Sequence, residues 1–285
     1  MFYMRVIEFD IKNCDDGKSV RDFLRGFGVS SALLTRLKQS ENGITINNTF
    51  ARTIDKIHTG DRLKICILNK GKMPAKLDDK RVKVAYNDND ILILNKPELM
   101  PVHESRNHQG DTLANVASCY MDEDSAFRAV YRLDRDTSGL VLIAKNELAA
   151  SKLAGKIKKD YYAVVSGDLY GKGKIDLPIA RENTSIIKRI VSKNGERAVT
   201  YWQAIGRKNG NTLLKINLET GRTHQIRVHF SHIGHPLLGD TLYGGDTSQI
   251  NRQALHCKTI YFTHPITNEK ITVDSELPQD IKGLI

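Results

Sequence analysis

Tyr131-Arg132-Leu133-Asp134-Arg135-Asp136-Thr137-Ser138-Gly139 runs without a break into Leu140-Val141-Leu142-Ile143-Ala144-Lys145. The second half is a continuous apolar run, as in a strand buried on both faces. The first half sets two arginines and two aspartates at the mouth of that strand. Charges so close to a core are costly to bury unless paired or hydrogen-bonded. One reading is a turn whose aspartates bond their own backbone. The other is a stretch whose polarity serves chemistry.

Two further segments are too polar for their setting. Lys159-Asp160-Tyr161-Tyr162-Ala163 reads on its own as a strand with aromatic packing. Leu218-Glu219-Thr220-Gly221-Arg222-Thr223-His224-Gln225-Ile226-Arg227-Val228-His229 leads into Gly234-His235-Pro236-Leu237-Leu238-Gly239-Asp240. Here Thr223 is expected to cap a helix with Ile226, Phe230 and Ile233 on one face, stopped by Gly234.

The flanking pattern is strand-rich. Val82, Val84 and Tyr86 alternate, and Asn87-Asp88-Asn89-Asp90 is a turn signal. Ile91-Leu92-Ile93-Leu94 reads as a buried strand ended by Asn95-Lys96-Pro97. A helix is expected over 147–159 and strands over 161–166, 198–205 and 213–218. The class is α+β with β dominant.

The beginning of the chain has a different character. Ser19 is expected to cap a helix bearing Val20, Phe23, Leu24 and Phe27, broken by Gly26 and Gly28. Ser30 or Ser31 caps a second helix, with Leu33, Leu34 and Leu37 inward and Arg36 and Lys38 outward. Asn42-Gly43 turns into the strand Ile44-Thr45-Ile46, and Gly60-Asp61 precedes an alternating strand through Leu63, Ile65 and Ile67. Residues 71–80 read as a linker or a poorly packed strap. No internal repeat or low-complexity tract is visible.

Charge follows the same division. The chain has 285 residues with 43 Lys+Arg and 33 Asp+Glu, a formal charge of +10. Residues 17–80 hold 13 basic and 6 acidic side chains, so +7 of that charge sits in 64 residues. A basic excess of this kind points to a polyanionic partner, most often nucleic acid. Hydrophobic residues at 40% exclude a disordered basic tail. The longest uncharged apolar run, 139–144, is far short of the ~18 residues of a membrane span. Arg5, Glu8 and Asp10 interrupt the apolar start, so no signal peptide is expected. Cys14, Cys66, Cys119 and Cys257 show no metal-ligand spacing and are expected to be buried thiols in a reducing cytoplasm.

Taken together and in order, the polar segments resemble one family, the RluA-type RNA pseudouridine synthases. The matching motifs are Asn95-Lys96-Pro97 with His103, RLDRDTSGL from Arg132, KDY from Lys159, TGRTHQIRVH from Thr220, GHPLLGD from Gly234 with Tyr243-Gly244, and Leu255-His256 with His264-Pro265. The small basic unit resembles the S-four RNA-binding domain, in which the second helix and following turn face structured RNA. The resemblances imply an S-four-like α/β domain over 1–70, a linker over 71–80, and a catalytic domain over 81–285. The latter is expected to be β-rich, with a mixed, mainly antiparallel sheet and flanking helices.

The implied reaction turns uridine into pseudouridine: the C1′–N1 bond breaks, the uracil turns over, and C5 bonds to C1′ as its proton leaves. There is no redox change, so the resemblance implies neither cofactor nor metal. The target base must leave its stack to be reached. The resemblance places the essential carboxylate at Asp134, acting on C1′ or on a sugar proton. Both roles need it ionised beside an opposite charge, and the pattern assigns Arg227. Tyr161 matches a tyrosine that stacks on the target uracil, with a hydroxyl able to help move the C5 proton. Arg132 matches an arginine that contacts RNA beside the flipped base. Lys96, Arg135 and Arg222 are expected phosphate contacts, as are Arg36, Lys38 and Arg52 in the small unit. Arg222 equally suits a loop salt bridge.

One position departs from the family. Tyr131 stands where His usually precedes R-L-D, and a tyrosine with a pKa of about 10 does not replace a neutral base. It is read as packing or RNA contact, so Tyr131→His should change turnover little.

Two rivals remain. His229, His232 and His235 recur like a metal comb, without H-E-x-x-H or a completing carboxylate. A non-catalytic RNA-binding or ribosome-assembly protein of the same fold is the other. The expected partner is RNA, ribosomal large-subunit (23S) RNA ahead of transfer RNA, with the protein acting as a cytoplasmic monomer and no membrane involved.

Overall fold

The computed structural model describes residues 4–285; Met1, Phe2 and Tyr3, part of the stretch read as lacking a signal peptide, lie outside them. The chain begins with β1 (Met4–Asp10), α1 (Val20–Phe27), α2 (Ser31–Gln39), β2 (Ile44–Ile46), β3 (Thr49–Phe50) and β4 (Arg62–Leu68). Ser19 caps α1 by accepting from Asp22 N, and Ser30 caps α2 by accepting from Leu33 N. Gly26 lies inside α1; Gly28 alone ends it, at φ 104°. The strands form an antiparallel sheet in the order β1-β4-β2-β3. Leu63, Ile65 and Ile67 point from it into a core shared with Val20, Leu24 and the α2 leucines.

The larger part adds β5 (Lys83–Asn87), β6 (Ile91–Lys96), α3 (Leu113–Ala117), β7 (Ser138–Ala144), α4 (Glu147–Leu153) and β8 (Lys158–Ser166). Then follow β9 (Lys172–Asp176), β10 (Ile179–Arg181), β11 (Arg189–Val191), β12 (Val199–Lys208) and β13 (Asn211–Leu218). It ends with α5 (Gln225–His232), β14 (Leu255–Thr263), β15 (Lys270–Asp274) and α6 (Gln279–Lys282). Nine strands make one mixed sheet, β5-β6-β7-β14-β8-β13-β12-β9, with β15 beside β14. Only β7 and β14 run parallel, so the sheet is mainly antiparallel. Among the described residues, β10 and β11 form a separate two-stranded ribbon.

At the parallel crossing Gly139 pairs with Cys257. Its φ is 117°, and a Cβ there would stand 2.3 Å from the Cys257 carbonyl oxygen. Only glycine lets the end of the Asp134 stretch enter the sheet this closely. The opening motif thus sits at the sheet's centre.

Three expectations need correction. The helix expected over 147–159 stops at Leu153, because Lys158 and Lys159 already belong to β8. Thr223 does not cap α5; His224 occupies that position at φ 57° without a side-chain cap. Of the cysteines only Cys257 is buried: Cys14 and Cys119 are exposed and Cys66 is intermediate.

Residues 71–80 form no regular element, yet they are bonded down. Met73 N donates to Glu123 O and Leu77 N to Asn115 O, while Asn115 Nδ2 and Ser118 Oγ donate to Ala75 O and Pro74 O. The two parts also grip each other directly. Arg5 forks onto Asp90 at 2.9 and 2.7 Å, Asn69 Nδ2 donates to Lys145 O, and Arg36 pairs with Glu147. Leu148 of α4 is buried within the small unit's core.

Candidate active site

The Asp134 turn is fixed from behind. Lys96, at the end of β6, is 1% exposed, and its ammonium donates to Pro97 O, Met100 O and Arg135 O, each at 2.8 Å. Three carbonyls take its three N–H bonds, and burial lowers its pKa. A phosphate contact, as expected for Lys96, would have to compete with these three bonds, because its donors are already taken and its side chain is buried. Met100 N also donates to Arg135 O, Arg252 Nη1 to Asp136 O, and Gln253 Nε2 to Thr137 Oγ1. With its backbone held, the turn projects Asp134 into an open cleft of about 1160 Å³.

The Asp134 carboxylate does not bond its own backbone. Its Oδ2 accepts from Arg227 Nη1 at 3.0 Å, and His224 Nε2 lies 3.8 Å away. Arg227 comes from α5, so this contact joins residues 93 positions apart. Arg227 has a second and tighter partner. Its Nε and Nη2 fork onto Asp240 at 2.6 and 2.8 Å, with the Asp240 side chain 1% exposed. Burial works against the guanidinium's charge, but Asp240 and then Asp134 outweigh it and raise its pKa. Tyr243 supports the group, with the Arg227 guanidinium carbon 5.0 Å from its ring centre and its hydroxyl 2.9 Å from His224 Nδ1. Burial holds His224 below 6.5, against the pull of Asp134.

Tyr161 lies on β8 and is 6% exposed within the same cleft. Its hydroxyl is beside the buried Cys257 thiol; burial, then Cys257 and Asp134, push its pKa well above 10. The hydroxyl is therefore a proton donor, not a base, near neutral pH. Tyr131 packs as expected for a structural position: its hydroxyl donates to Leu140 O at 2.9 Å. Its ring faces Lys159, whose Nζ is 4.2 Å from the ring centre.

The expected RNA contacts fall into different settings. Arg132 is exposed in the cleft and has no hydrogen-bond or ion-pair partner among the described residues. Arg135 is exposed and pairs with Asp136. Arg222 lines the cleft but pairs with Glu196 and donates to Arg197 O, the loop salt bridge that its surroundings also suited. In the small unit Lys38 is exposed, Arg52 pairs with Asp55 at 3.2 Å, and Arg36 is drawn to Glu147. His103 stands edge-on to Phe127 at the cleft mouth, held below 6.5 by burial and by Arg132.

The histidine comb does not converge. His229 bonds Thr200 Oγ1 and Leu177 O, while His235 bonds Ser166 O. Among the described residues the one group close enough to share a cation is Asp88, Asp90 and His264. Its oxygens are already taken by Tyr86, His264, Arg5, Asn146 and two backbone N–H groups.

Sequence reasoning placed Asp134, Tyr161 and Arg227, and the fold brings them into one cleft. It did not single out Asp240, Tyr243, His224, Arg252 or Lys159, which the fold places in or against that cleft. Asp240 was visible as the lone acid closing the apolar Gly234–Asp240 motif, a buried charge in want of a partner.

Comparison with known proteins agrees with this geometry. A family model described as RNA pseudouridylate synthase matches residues 90–232. An uncharacterized RNA pseudouridine synthase of Bacillus subtilis, YjbO, is 37% identical over 277 residues, covering 94% of this chain and 98% of that protein. Ribosomal large subunit pseudouridine synthase D of Pseudomonas aeruginosa is 34% identical, covering 85% of this chain and 82% of its own. The solved human RNA pseudouridylate synthase domain containing 1 shares the fold, with a TM-score of 0.58 at 24% identity over 68% of this chain and 83% of its own. Motifs, fold and relatives converge on one conclusion: the chain belongs to the RNA pseudouridine synthase family, a family of isomerases.

Proposed function

We propose that this synthase isomerises uridines in structured large-subunit ribosomal RNA, with Asp134 as the reacting carboxylate. The observation that carries the reading is the Asp134–Arg227 contact of 3.0 Å inside a cleft that also holds Tyr161. A carboxylate bonded to a buried guanidinium is held in one orientation, which attack on C1′ or removal of a sugar proton both require. Tyr161 offers its ring to the extruded uracil. Arg132, free at the cleft wall, suits the gap left in the RNA stack or a phosphate beside it.

The small basic unit acts in this reading as an S-four-like RNA grip, with Lys38 and Arg52 on its exposed side and Arg36 turned toward Glu147. Relatives named for the ribosomal large subunit favour that RNA over transfer RNA. The protein acts as a monomer in the cytoplasm; among the described residues no helix is long and apolar enough to cross a membrane.

The test is Asp134→Asn, with pseudouridines mapped in total RNA with and without the gene. Isomerisation should vanish while RNA binding persists. Wild-type protein with no missing pseudouridine in any RNA of the deletion strain would support the non-catalytic assembly role instead.

A further inference from the structure

Lys159 is a cation in the cleft that the mechanism above leaves unused. On β8 it lies two residues before Tyr161, so both side chains leave the same face of the sheet. Both line the cleft, whereas Asp160 between them points to the opposite face, where it meets Lys215 and Tyr261. Lys159 is partly buried, and its ammonium has no carboxylate or hydrogen-bond partner among the described residues. What it has is the face of Tyr131 at 4.2 Å. A ring face attracts an ammonium without neutralising it, so the charge remains available to a ligand. Burial lowers the lysine's pKa, which marks an ammonium short of solvation. Tyr131 is itself held in place by the hydrogen bond from its hydroxyl to Leu140 O.

We infer that Lys159, steadied by the Tyr131 ring, binds an anionic oxygen of the flipped nucleotide. This rests on reading the cleft as the nucleotide site. The inference gives Tyr131, the one departure from the family pattern, a purpose: it presents a π face to Lys159, the partly buried lysine among those lining the cleft. No bond to Lys159 forms or breaks; the ammonium supplies charge and up to three hydrogen bonds. Two oxygens have the right chemistry. One is the phosphodiester beside the target uridine. The other is a uracil carbonyl oxygen, which gains charge as the C1′–N1 bond breaks and N1 leaves with the electron pair.

The experiment compares Lys159→Met, Lys159→Arg, Tyr131→Leu and Tyr131→Phe on the full-length protein with an RNA fragment containing the mapped uridine. Lys159→Met should lower kcat/KM by about 10- to 100-fold, the effect of losing one charge-assisted hydrogen bond. Lys159→Arg should recover part of that loss, and Tyr131→Phe should recover what Tyr131→Leu loses. A double-mutant cycle should show Lys159 and Tyr131 to be coupled. A rise in KM with a salt slope reduced by about one identifies the phosphate. A fall in kcat with an unchanged salt slope identifies the uracil oxygen. Circular dichroism and thermal melts establish that the variants fold; if Lys159→Met does not, Lys159→Gln takes its place. The inference is overturned if a folded charge-free variant keeps wild-type kcat, KM and salt slope, or if Lys159→Arg is as impaired as Lys159→Met. Asp134→Asn, run alongside, separates the two claims. Wild-type activity in that variant sinks the reading of the cleft. An inactive Asp134→Asn beside an unimpaired Lys159→Met sinks only the role of Lys159.

Discussion

Arg227 commits its two-pronged fork to Asp240 and reaches Asp134 with Nη1 alone. Asp240 is 1% exposed and Asp134 half-buried, so one guanidinium bridges a buried carboxylate and one that faces the cleft. The structural pair sets the orientation; the single bond steadies Asp134 without enclosing it. Asp134 binds Arg227 through Oδ2, which leaves Oδ1 toward the cleft for the role proposed above.

Asp240→Asn should then damage both stability and turnover. Removing one partner of a buried ion pair costs about 3–5 kcal/mol, because the remaining charge is left uncompensated. Arg227 would also be drawn fully onto Asp134. Urea unfolding should show a lower midpoint, and kcat should fall while KM for RNA holds. Wild-type stability and kcat in this variant would disprove the division of labour.

Lys96→Met should loosen the turn that carries Asp134. It removes a donor from three carbonyls; Arg135 O, next to Asp134, keeps its bond from Met100 N, while Pro97 O and Met100 O lose the lysine. Each buried acceptor left unsatisfied costs about 1–3 kcal/mol. The variant should melt earlier and lose kcat, yet bind RNA with the same salt slope as wild type. A slope reduced by about one would instead mean that Lys96 reaches a phosphate after all.

Leu148→Ala tests the joint between the two parts. Leu148 belongs to α4 but is fully buried in the core of the small unit. Its truncation should cost about 2–5 kcal/mol, as for a large-to-small change in a packed core. Limited proteolysis should then cut faster within 69–80, where the chain is held mainly by hydrogen bonds to the α3 region. Unchanged cleavage would show that the small unit does not depend on α4.

His256 predicts an acid limit. It is 1% exposed between Ser138 Oγ and Ser275 Oγ, and burial, reinforced by Arg252 and Lys258, pushes its pKa down from 6.5 to about 3. The unfolded chain binds this proton below 6.5 and the folded one only below about 3. Its contribution is thus complete above 6.5 and lost as pH falls toward 3, with a slope of up to about 1.4 kcal/mol per pH unit. Denaturant midpoints between pH 7 and 4 should fall less steeply for His256→Gln than for wild type. Parallel slopes would contradict this.

Much of this was legible in the residues. Ser19 and Ser30 announced their helices, Leu63-Ile65-Ile67 announced a half-buried strand, and Gly139–Ala144 announced a central one, because caps and periodicity act over a few residues. The motifs around Asp134, Tyr161 and Arg227 likewise singled out residues that the fold gathers in one cleft. Local signals did not reveal how the charges divide. Lys96 read as a phosphate contact, yet three carbonyls, from residues 97, 100 and 135, close around it. The helix expected through Lys159 ended at Leu153 because β14 and β13 claim that stretch as a strand. By itself the sequence determined the strongly periodic and capped elements, the family motifs and the basic first unit. Only the tertiary structure decided which cations are committed, Lys96 to carbonyls and Arg227 to two aspartates, and which stand open in the cleft, Arg132 and Lys159. Pairing energies depend on distance and burial between residues that may be a hundred positions apart, and no local pattern encodes either.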